Sequence, residues 1–507
     1  MTRSTDAAAG AMEAPSAPAT GTSANPGTAA RLDRHTRLMM AVLVLGGLMV
    51  VLDVTITNVA IRDLSVSLGA PLPVIQWVSS GYTLALAVVV PTTAWLAGRL
   101  GTRRVYLGAL GLFLLGSVLA GLAWNIESLI AFRVVQGLGG GLINPVAMTI
   151  VLRAAPPATR GRAMGLLGLP VLVGPLVGPT LGGWLVGFSW RWIFLINVPV
   201  GLLALAMAWR FLRPLPSADE GRARLDVLGL ALVAPGLALV VYGLAESGRL
   251  GTLAAPSVLV PALLGLGLCA AFVLRALRVP DPLVQVRLLR HRALASGTAT
   301  LALFASAYFG SMLLVPLYWQ LVRGQSPAQA GMLAIPQALT TGIALQVASR
   351  LVDRVAPAKV VGAGVTLAAG GMLATALLLS ADRPFWQLVV TMAVAGAGAG
   401  ATIMPTITTA LRHLPDRHTP SGSTLLSIIN QVSVALGTAL TSVLLVAQLA
   451  GTTATGGRGE LPDPAGGAAS GELARAFHDT MLLPVALMAA AAVLALLLLP
   501  RGRGNTP

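Results

Sequence analysis

Fourteen apolar runs, each close to 20 residues long and separated by short polar segments, constrain this chain more than any other feature. About 20 apolar residues form a helix long enough to cross the roughly 30 Å hydrocarbon core of a bilayer. Only 10% of the 507 residues are charged, whereas a soluble domain has about 25%. The sequence therefore predicts an all-α integral membrane protein with 14 transmembrane helices. The predicted spans are 38–61, 75–97, 105–123, 128–152, 163–187, 191–211, 227–245, 253–274, 294–319, 329–349, 360–380, 385–411, 420–449 and 480–499.

The distribution of arginine and lysine indicates how the chain lies in the membrane. Most of these 34 cations fall in the N-terminal leader, the C-terminus and every second loop, an excess that is typical of the cytoplasmic side. We therefore expect both termini in the cytoplasm and, from the Arg-, Ala- and Gly-rich composition, a multi-pass protein of a bacterial cell membrane. The net charge of +16 does not indicate nucleic acid, because the basic residues are not clustered on one face. The outer loop 450–478 is predicted to be flexible.

A short internal repeat indicates the domain organisation. The loop AWLAGRLGTRRVYLGA (94–109) is echoed 255 residues later by SRLVDRVAPAKVVGAG (349–364), and the same offset carries span one onto span nine. Parallel repeats are a known transporter plan, so we predict two six-helix bundles with two inserted helices between them. The predicted parts are a disordered cytoplasmic leader 1–37, an N-terminal bundle 38–212, an inserted pair with its flanking loops 213–292, a C-terminal bundle 293–499 and a cytoplasmic tail 500–507.

Two charged residues lie well inside predicted spans, where an ionised side chain is expensive and usually functional. Asp53 stands in LDVTITNVAI (52–61), and Arg133 opens RVVQGLGGGLINP (133–145). Burial favours the protonated form of a carboxyl group and a nearby cation favours the ionised form, so a change of exposure can bind and release a proton. We predict that Asp53 exchanges protons and that Arg133 tunes it. The alternatives are a carboxylate satisfied permanently by the backbone and an arginine that only anchors backbone carbonyls.

Span five is unusually rich in the residues that weaken helices. GLLGLPVLVGPLVGPTLGG (165–183) contains six glycines and three prolines, which cost about 1 and 3 kcal/mol each relative to alanine inside a helix. Gly174, Gly178 and Gly182 recur every fourth residue and form a smooth stripe on which another backbone can pack closely. We expect the stripe to seal against the other half of the protein, with the prolines letting the helix bend. A merely structural contact is the alternative.

These segments resemble the signatures of the fourteen-span drug:proton antiporters of the EmrB/QacA type in the major facilitator superfamily. LDVTITNVAI and RVVQG are similar to that family's span-one and span-four motifs, and span five matches each fixed position of its antiporter motif. The resemblance implies the major facilitator fold, a role of Asp53 and Arg133 in proton coupling, and export rather than uptake. The residues that match the antiporter motif are Gly165, Gly174, Gly178, Pro179, Gly182 and Gly183.

The cytoplasmic loop motif of that family is present in both halves but is incomplete in the first. Gly98 stands where the family usually has an aspartate, so the resemblance implies an Asp–Arg latch in the second half alone. The matching residues are Arg99, Gly101 and Arg103 in the first half and Asp353 and Arg354 in the second.

Polar and aromatic residues within the spans are candidates for a substrate cavity. Tyr308 lies 255 residues after Asp53 and is its counterpart in the repeat. We expect it to line an aromatic pocket together with Trp77, Tyr82, Tyr318 and Gln320. For Trp77 and Tyr318, a place in the aromatic belt at the membrane surface is an equal alternative. The full set of cavity candidates is Thr57, Asn58, Trp77, Tyr82, Gln136, Asn144, Tyr308, Tyr318, Gln320, Asn430 and Gln431.

Together with the resemblance, these residues favour proton-driven export of a small amphipathic drug or antibiotic by alternating access, which confers resistance. The expected partners are that small molecule, protons and the lipid bilayer, without cofactor, metal or nucleic acid, and the chain is expected to be a monomer and not an enzyme. Lys359, the single lysine, is not in the GxxxxGK[ST] pattern of an ATP-binding loop, and neither GxSxG nor HExxH occurs. The alternatives are an uptake carrier of the same fold and a non-transporting membrane receptor or intramembrane enzyme.

Overall fold

Helices form every regular element in the part of the chain that the structure describes. The computed structural model describes residues 33–70, 72–156, 159–214, 225–325, 327–352, 354–412, 414–415, 418–450 and 467–498. Asp33 starts the first helix, because its Oδ1 accepts a hydrogen bond of 2.8 Å from the backbone N–H of Thr36. The helix therefore begins at Arg34, inside the predicted leader.

The helices fall into three groups along the chain. The first ten are α1 (Arg34–Val59), α2 (Ile61–Leu68), α3 (Leu72–Val89), α4 (Thr93–Leu100), α5 (Thr102–Gly121), α6 (Ile126–Ala154), α7 (Arg160–Leu167), α8 (Leu169–Val186), α9 (Trp192–Leu195) and α10 (Asn197–Phe211). The predicted inserted pair is α11 (Val227–Leu250) and α12 (Pro256–Ala276). The rest are α13 (Arg292–Leu321), α14 (Pro327–Leu351), α15 (Pro357–Leu378), α16 (Phe385–Gly400), α17 (Ile403–Leu411), α18 (Thr419–Ala450) and α19 (Gly467–Leu498), with 3₁₀ turns at Val90–Thr92 and Val286–Arg290.

The observed helices agree with the predicted spans. Among the described residues, 13 helical segments are long and apolar enough to cross a membrane. The remaining predicted span, 163–187, is divided at Gly168 into α7 and α8. The division falls there because Pro170, near the start of α8, has no N–H to continue the helix. The predicted all-α membrane fold is confirmed, and the count of 14 is matched when α7 and α8 are taken as one crossing.

The last helix begins earlier than predicted. α19 starts at Gly467, so the prediction of a flexible loop over 450–478 is wrong for its second part, and 451–466 lie outside the described residues. Hydropathy alone missed this start because Glu472 and Arg475 interrupt the apolar run. Leu473, between these charges, and Phe477, which follows them, are buried in the core of the C-terminal half and stabilise the additional helical turns.

Each half has a buried apolar core. The cluster around Leu110, Phe113 and Ile143 fills the N-terminal half and continues to Leu426 of α18. A separate cluster around Phe477 fills the C-terminal half. The domain boundaries at 212 and 293 stay predictions.

The predicted inserted helices form a pair at one side of the molecule. α11 and α12 pack closely, since a Cβ at Gly243 would meet the backbone of α12. α11 also contacts α3, where the rings of Trp77 and Tyr242 stack with centroids 5.7 Å apart. At the end of α11, Gly251 packs against the side chain of Val446 on α18. α12 is mostly exposed to the surroundings. α11 therefore bridges a helix of each half, and α12 covers α11 from outside.

The packing of α5 on α6 gives a test of the fold. A Cβ at Gly116 would lie 2.5 Å from the Cα of Gln136, whereas a Cβ at Gly108 on the same helix would meet nothing within 4 Å. We expect Gly116→Ala to lower the free energy of unfolding by about 1–3 kcal/mol, the usual cost of overpacking. Gly108→Ala should raise it by up to about 1 kcal/mol, because alanine favours a helix. Thermal unfolding in detergent measures both, and equal melting temperatures would contradict this packing.

Candidate functional site

Asp53 lies on α1 with 1% of its surface exposed, and its carboxylate has three partners from two other helices. Arg133 Nη1 on α6 donates to Oδ2 at 2.5 Å. Gln136 Nε2, one turn further along α6, donates to Oδ1 at 2.7 Å, and Asn197 Nδ2 on α10 donates to the same oxygen at 3.2 Å. Both carboxylate oxygens are thus satisfied inside the membrane by one cation and two neutral amides.

The guanidinium of Arg133 is equally enclosed. Besides Asp53, Nη1 donates to Gln136 Oε1 at 2.7 Å, and Nε donates to the carbonyl of Val78 on α3 at 3.1 Å. Its Cζ lies 4.2 Å from the centroid of the Tyr82 ring, an arrangement in which the ring face attracts the cation. Arg133 therefore does both things considered from the sequence: it pairs with the carboxylate and anchors a backbone carbonyl.

Ser117, which sequence reasoning did not single out, holds the amides of Gln136 and Asn197 in place around this pair. Ser117 Oγ on α5 accepts from Gln136 Nε2 at 3.2 Å and from Asn197 Nδ2 at 3.1 Å. It donates to the backbone carbonyl of Phe194 at 2.8 Å. The signal available was that Ser117 and Asn197 are isolated polar residues within apolar runs, but nothing in the sequence relates either one to Asp53.

The stability of the ion pair in the protein interior requires both Asp53 and Arg133. Removing one partner of a buried pair leaves an uncompensated charge and typically costs about 3–5 kcal/mol. Protonating Asp53 has a related effect, since a neutral carboxylic acid no longer balances the guanidinium of Arg133. The arrangement can therefore convert the gain or loss of one proton into a change in the contacts among α1, α5, α6 and α10.

Thr57 and Asn58, which follow Asp53 on α1, are two of the predicted cavity residues, and Thr57 bonds to its own helix instead. The Thr57 hydroxyl donates to the backbone carbonyl of Asp53 at 2.6 Å, one turn back on the same helix. The side chain of Asn58 lies outside the described part of the structure.

A cavity of about 260 Å³ lies between the two halves. Of the predicted candidates, Asn144 on α6 and Asn430 and Gln431 on α18 line it. The other lining residues are predominantly apolar, including the aromatic rings of Phe304 and Phe309 on α13, and all of them are uncharged. A mostly apolar cavity with a few polar groups suits a small amphipathic molecule.

The five residues expected to share an aromatic pocket are dispersed in this structure. Tyr82 lies at the ion pair, and Trp77 stacks on α11 with 39% of its surface exposed. Tyr308 lies behind the cavity wall, its ring stacked on Phe304 with centroids 5.6 Å apart.

Tyr318 and Gln320, the other two, are near the end of α13. Tyr318 donates to the carbonyl of Ser380 at 2.6 Å, and Gln320 donates to the carbonyl of Pro316 on its own helix at 3.2 Å. The repeat offset aligns positions along the helices but does not determine which way each side chain points. Gln136, also proposed for the cavity, binds Asp53 instead.

The glycine stripe of span five packs against the helix that carries Asp53. A Cβ at Gly174 would strike Val51, one at Gly178 would strike Thr55, and one at Gly182 would lie 3.3 Å from the Cα of Ile56. The expectation that the stripe seals against the other half is therefore wrong for these three glycines. A stripe specifies that a smooth surface exists but not which helix meets it.

The remaining antiporter-motif residues have different surroundings. Gly165 on α7 meets Ser349 of α14, and its carbonyl accepts a hydrogen bond of 3.4 Å from Gln346 Nε2. At Gly183 a Cβ would meet nothing within 4 Å, and the side chain of Pro179 lies outside the described residues. The beginning of span five thus touches the C-terminal half, while its glycine stripe holds α1.

The two halves meet at the helix ends that the sequence assigns to the cytoplasm. Thr149 Oγ1 on α6 and Ser423 Oγ on α18 are 2.9 Å apart and share a hydrogen bond. Leu345 on α14 lies against Gly168, where a Cβ would approach its Cδ2 to 2.6 Å. Close packing of small and hydroxyl side chains closes the space between the halves at this end.

The predicted loop-motif residues occupy the turn between α4 and α5 and the end of α14. Gly101 has φ of +81°, a conformation that favours glycine. Arg103 Nη2 donates to the carbonyl of Trp209 on α10 at 2.5 Å, whereas Arg99 is exposed. Arg354 is also exposed, and Asp353 lies outside the described residues, so the predicted latch stays a prediction.

Comparisons with known proteins agree with this architecture. The family model described as Major Facilitator Superfamily matches residues 43–438 and, in a second match, 301–507. The chain is 43% identical over 422 residues to "Multidrug resistance protein B homolog" of Mycobacterium tuberculosis, covering 82% of this chain and 78% of that protein. It is 34% identical over 420 residues to "Methylenomycin A resistance protein" of Streptomyces coelicolor, covering 82% and 87%.

Solved structures show the same fold at low sequence identity. The E. coli fucose:proton symporter superposes with a TM-score of 0.61 at 14% identity, covering 91% of this chain and 98% of its own. A proton:xylose symporter gives a TM-score of 0.61 at 14% identity, covering 92% and 96%.

The contact between the glycine stripe and α1 can be tested with a disulfide. A Cβ at Gly174 would lie 3.3 Å from the Cβ of Val51, close to the separation of about 3.5–4.5 Å found in disulfides. In a Cys269→Ala background, we expect Val51→Cys with Gly174→Cys to cross-link under mild oxidation. Val51→Cys with Gly183→Cys is the control and should stay reduced. Thiol labelling of the denatured protein measures both pairs, and an unreacted Gly174→Cys pair would contradict the contact.

Proposed function

Because the chain belongs to the major facilitator superfamily, as its motifs predicted, we propose that it exports small amphipathic drugs or antibiotics in exchange for protons and so confers resistance. The observation that carries the proposal is the buried pair of Asp53 and Arg133, which is held by neutral amides and is separate from the cavity. It acts as a monomer in the bacterial cytoplasmic membrane, with both termini in the cytoplasm. It is a transporter rather than an enzyme, and it works without a cofactor.

The names of the relatives support the cargo class. Two bacterial proteins with at least 34% identity over most of the chain are named for resistance to multiple drugs and to methylenomycin A. The cavity fits such molecules, because Asn144, Asn430 and Gln431 offer hydrogen bonds within a largely apolar lining. The lining residues carry no charge, which favours a neutral or singly charged cargo over a dication.

The contacts between the halves define the starting point of the cycle. With the termini in the cytoplasm, the pair Thr149–Ser423 and the packing of Gly165 on Ser349 close the cytoplasmic side. In this outward-facing state the cargo has left and ionised Asp53 accepts a proton from outside. Neutral Asp53 then releases Arg133, and the halves separate at their cytoplasmic ends. Cargo enters the cavity from the cytoplasm, Asp53 gives up its proton there, and the return movement carries the cargo out.

The proposed mechanical link runs through α1. Val51 and Thr55 face the glycine stripe of span five, while Asp53 between them points to the opposite side. A change at the carboxylate therefore moves a helix that rests directly on α8. Span five in turn touches α14 of the C-terminal half at Gly165. The effect of proton binding at Asp53 is therefore transmitted to the contact between the halves through two packing contacts, α1 on α8 and span five on α14.

The proton gradient supplies enough energy for useful export. One elementary charge crossing 100 mV releases about 2.3 kcal/mol. At 1.4 kcal/mol for each tenfold step, this supports a cargo gradient of roughly fifty-fold.

Substitution of Asp53 tests proton coupling directly. We expect Asp53→Asn to abolish gradient-driven export while cargo exchange between the two sides continues, because amide and acid have the same shape but the amide cannot release a proton. Asp226→Asn is the control, since Asp226 pairs with Arg275 at 2.8 Å and neither residue lines the cavity. The measurement is uptake into inside-out vesicles of a compound to which expression confers tolerance, with and without an uncoupler. Full gradient-driven uptake by Asp53→Asn would refute the proposal, and uptake in the opposite direction would favour an importer.

Substitutions in the cavity lining should change which compounds are exported, rather than abolish gradient-driven export. We expect Phe304→Ala and Asn430→Leu to change the concentration of antibiotic tolerated by expressing cells by about tenfold for some compounds, as expected when one contact of about 1.4 kcal/mol is lost. Transport of the remaining compounds should stay sensitive to uncoupler. Growth in a panel of amphipathic antibiotics measures this. An equal loss for every compound would indicate that the cavity does not determine specificity.

A further inference from the structure

Tyr82 contacts both the Asp53–Arg133 pair and a residue that lines the central cavity. The cavity is lined by Leu86 of α3 and Gly140 of α6. Tyr82 lies one turn before Leu86, and its ring covers the guanidinium of Arg133, 4.2 Å from Cζ to centroid. Tyr82 therefore has the ion pair on its ring face and the cavity wall at its hydroxyl.

Tyr82 is buried, with 1% of its surface exposed. Its hydroxyl has no hydrogen-bond partner among the described residues. A Cβ at Gly140 would lie 2.9 Å from this oxygen, so the hydroxyl packs directly against Gly140, a residue that lines the cavity. Leaving a buried hydroxyl without a hydrogen bond costs about 1–3 kcal/mol. Ordered water commonly satisfies such groups, and the cavity that Gly140 lines can supply it.

We propose that Tyr82 holds the water molecule through which protons pass between the cavity and Asp53. The inference rests on the proposed function, in which Asp53 binds and releases the proton. The Tyr82 hydroxyl donates a hydrogen bond to the oxygen of a water molecule on the cavity side of Gly140. A hydronium ion in the cavity gives a proton to this water, and the water gives a proton to the carboxylate. The water is restored, Asp53 becomes a neutral acid, and Tyr82 keeps its own proton.

The charges around the path explain why an ordered water is needed. Arg133 is the one charged side chain that contacts Asp53 among the described residues, and it repels an approaching hydronium ion. The helices packed around the carboxylate otherwise present neutral groups, which are Tyr82 from α3, Ser117 from α5, Gln136 from α6 and Asn197 from α10, with the glycine stripe of α8 on the far side of α1. A fixed water oxygen at Tyr82 gives the proton an acceptor beside this cation.

The test is the rate at which Asp53 becomes protonated. Purified full-length protein in lipid nanodiscs is subjected to a pH jump, and the infrared band of the carboxylic acid is followed in time without any cargo. Loss of the band in Asp53→Asn assigns it. We expect Tyr82→Phe, which keeps the ring on Arg133 and removes only the oxygen, to slow the appearance of the band at least about tenfold, since a well-placed proton-transfer group typically contributes 10²–10⁴-fold. The solvent isotope effect should also increase.

The matched control is Tyr106→Phe. Tyr106 is a second fully buried tyrosine of the same half, and its hydroxyl donates to the carbonyl of Val42 at 3.3 Å. Its removal should leave the protonation rate of Asp53 unchanged, although it removes a hydrogen bond that stabilises the fold.

A second variant keeps the test independent of the tyrosine. Gly140→Ala places a methyl group against the hydroxyl and should slow protonation with Tyr82 intact. Wild-type rates in both Tyr82→Phe and Gly140→Ala would overturn the inference while leaving the proposed function standing. If the wild-type protein shows no Asp53-dependent band at any pH, the proposed function itself fails.

Discussion

A carboxylate and a guanidinium held out of water are the constraint around which the N-terminal half is arranged. Neither Asp53 nor Arg133 is stable in hydrocarbon without the other, and their remaining hydrogen-bonding groups need neutral partners. Gln136, Asn197 and the carbonyl of Val78 supply these partners from three helices. The electrostatic requirement of one pair therefore determines where α1, α3, α6 and α10 meet, and the same requirement changes when the carboxylate gains a proton.

The buried Asp53–Arg133 pair and the cavity are distinct but share the helix α6. Arg133 and Gln136 lie toward its start, and Asn144 lines the cavity about three turns further along. The glycines between them let α3 and α5 approach closely, since a Cβ at Gly137 or Gly139 would strike their backbones. A single helix thus carries residues of both the ion pair and the cavity lining.

Much of this architecture follows from the sequence, for identifiable reasons. Hydropathy located the spans because a bilayer imposes one length on every crossing helix, and Asp53 and Arg133 stood out because charge is rare inside such spans. The partner of the glycine stripe could not be found in this way, since glycines record that a close neighbour exists but not its identity. The positions of Ser117 and Asn197 likewise depend on which helices become neighbours, and Tyr308 shows that a repeat aligns residues without orienting their side chains.

The position of α11 has a consequence for molecules dissolved in the lipid. This helix touches α3 through Tyr242 on Trp77 and touches α18 through Gly251 on Val446. A lipophilic compound that diffuses within the membrane toward this flank meets α11, with α12 outside it, before it reaches the seam between the halves. Lateral entry from the bilayer on this side is therefore screened by the pair α11 and α12.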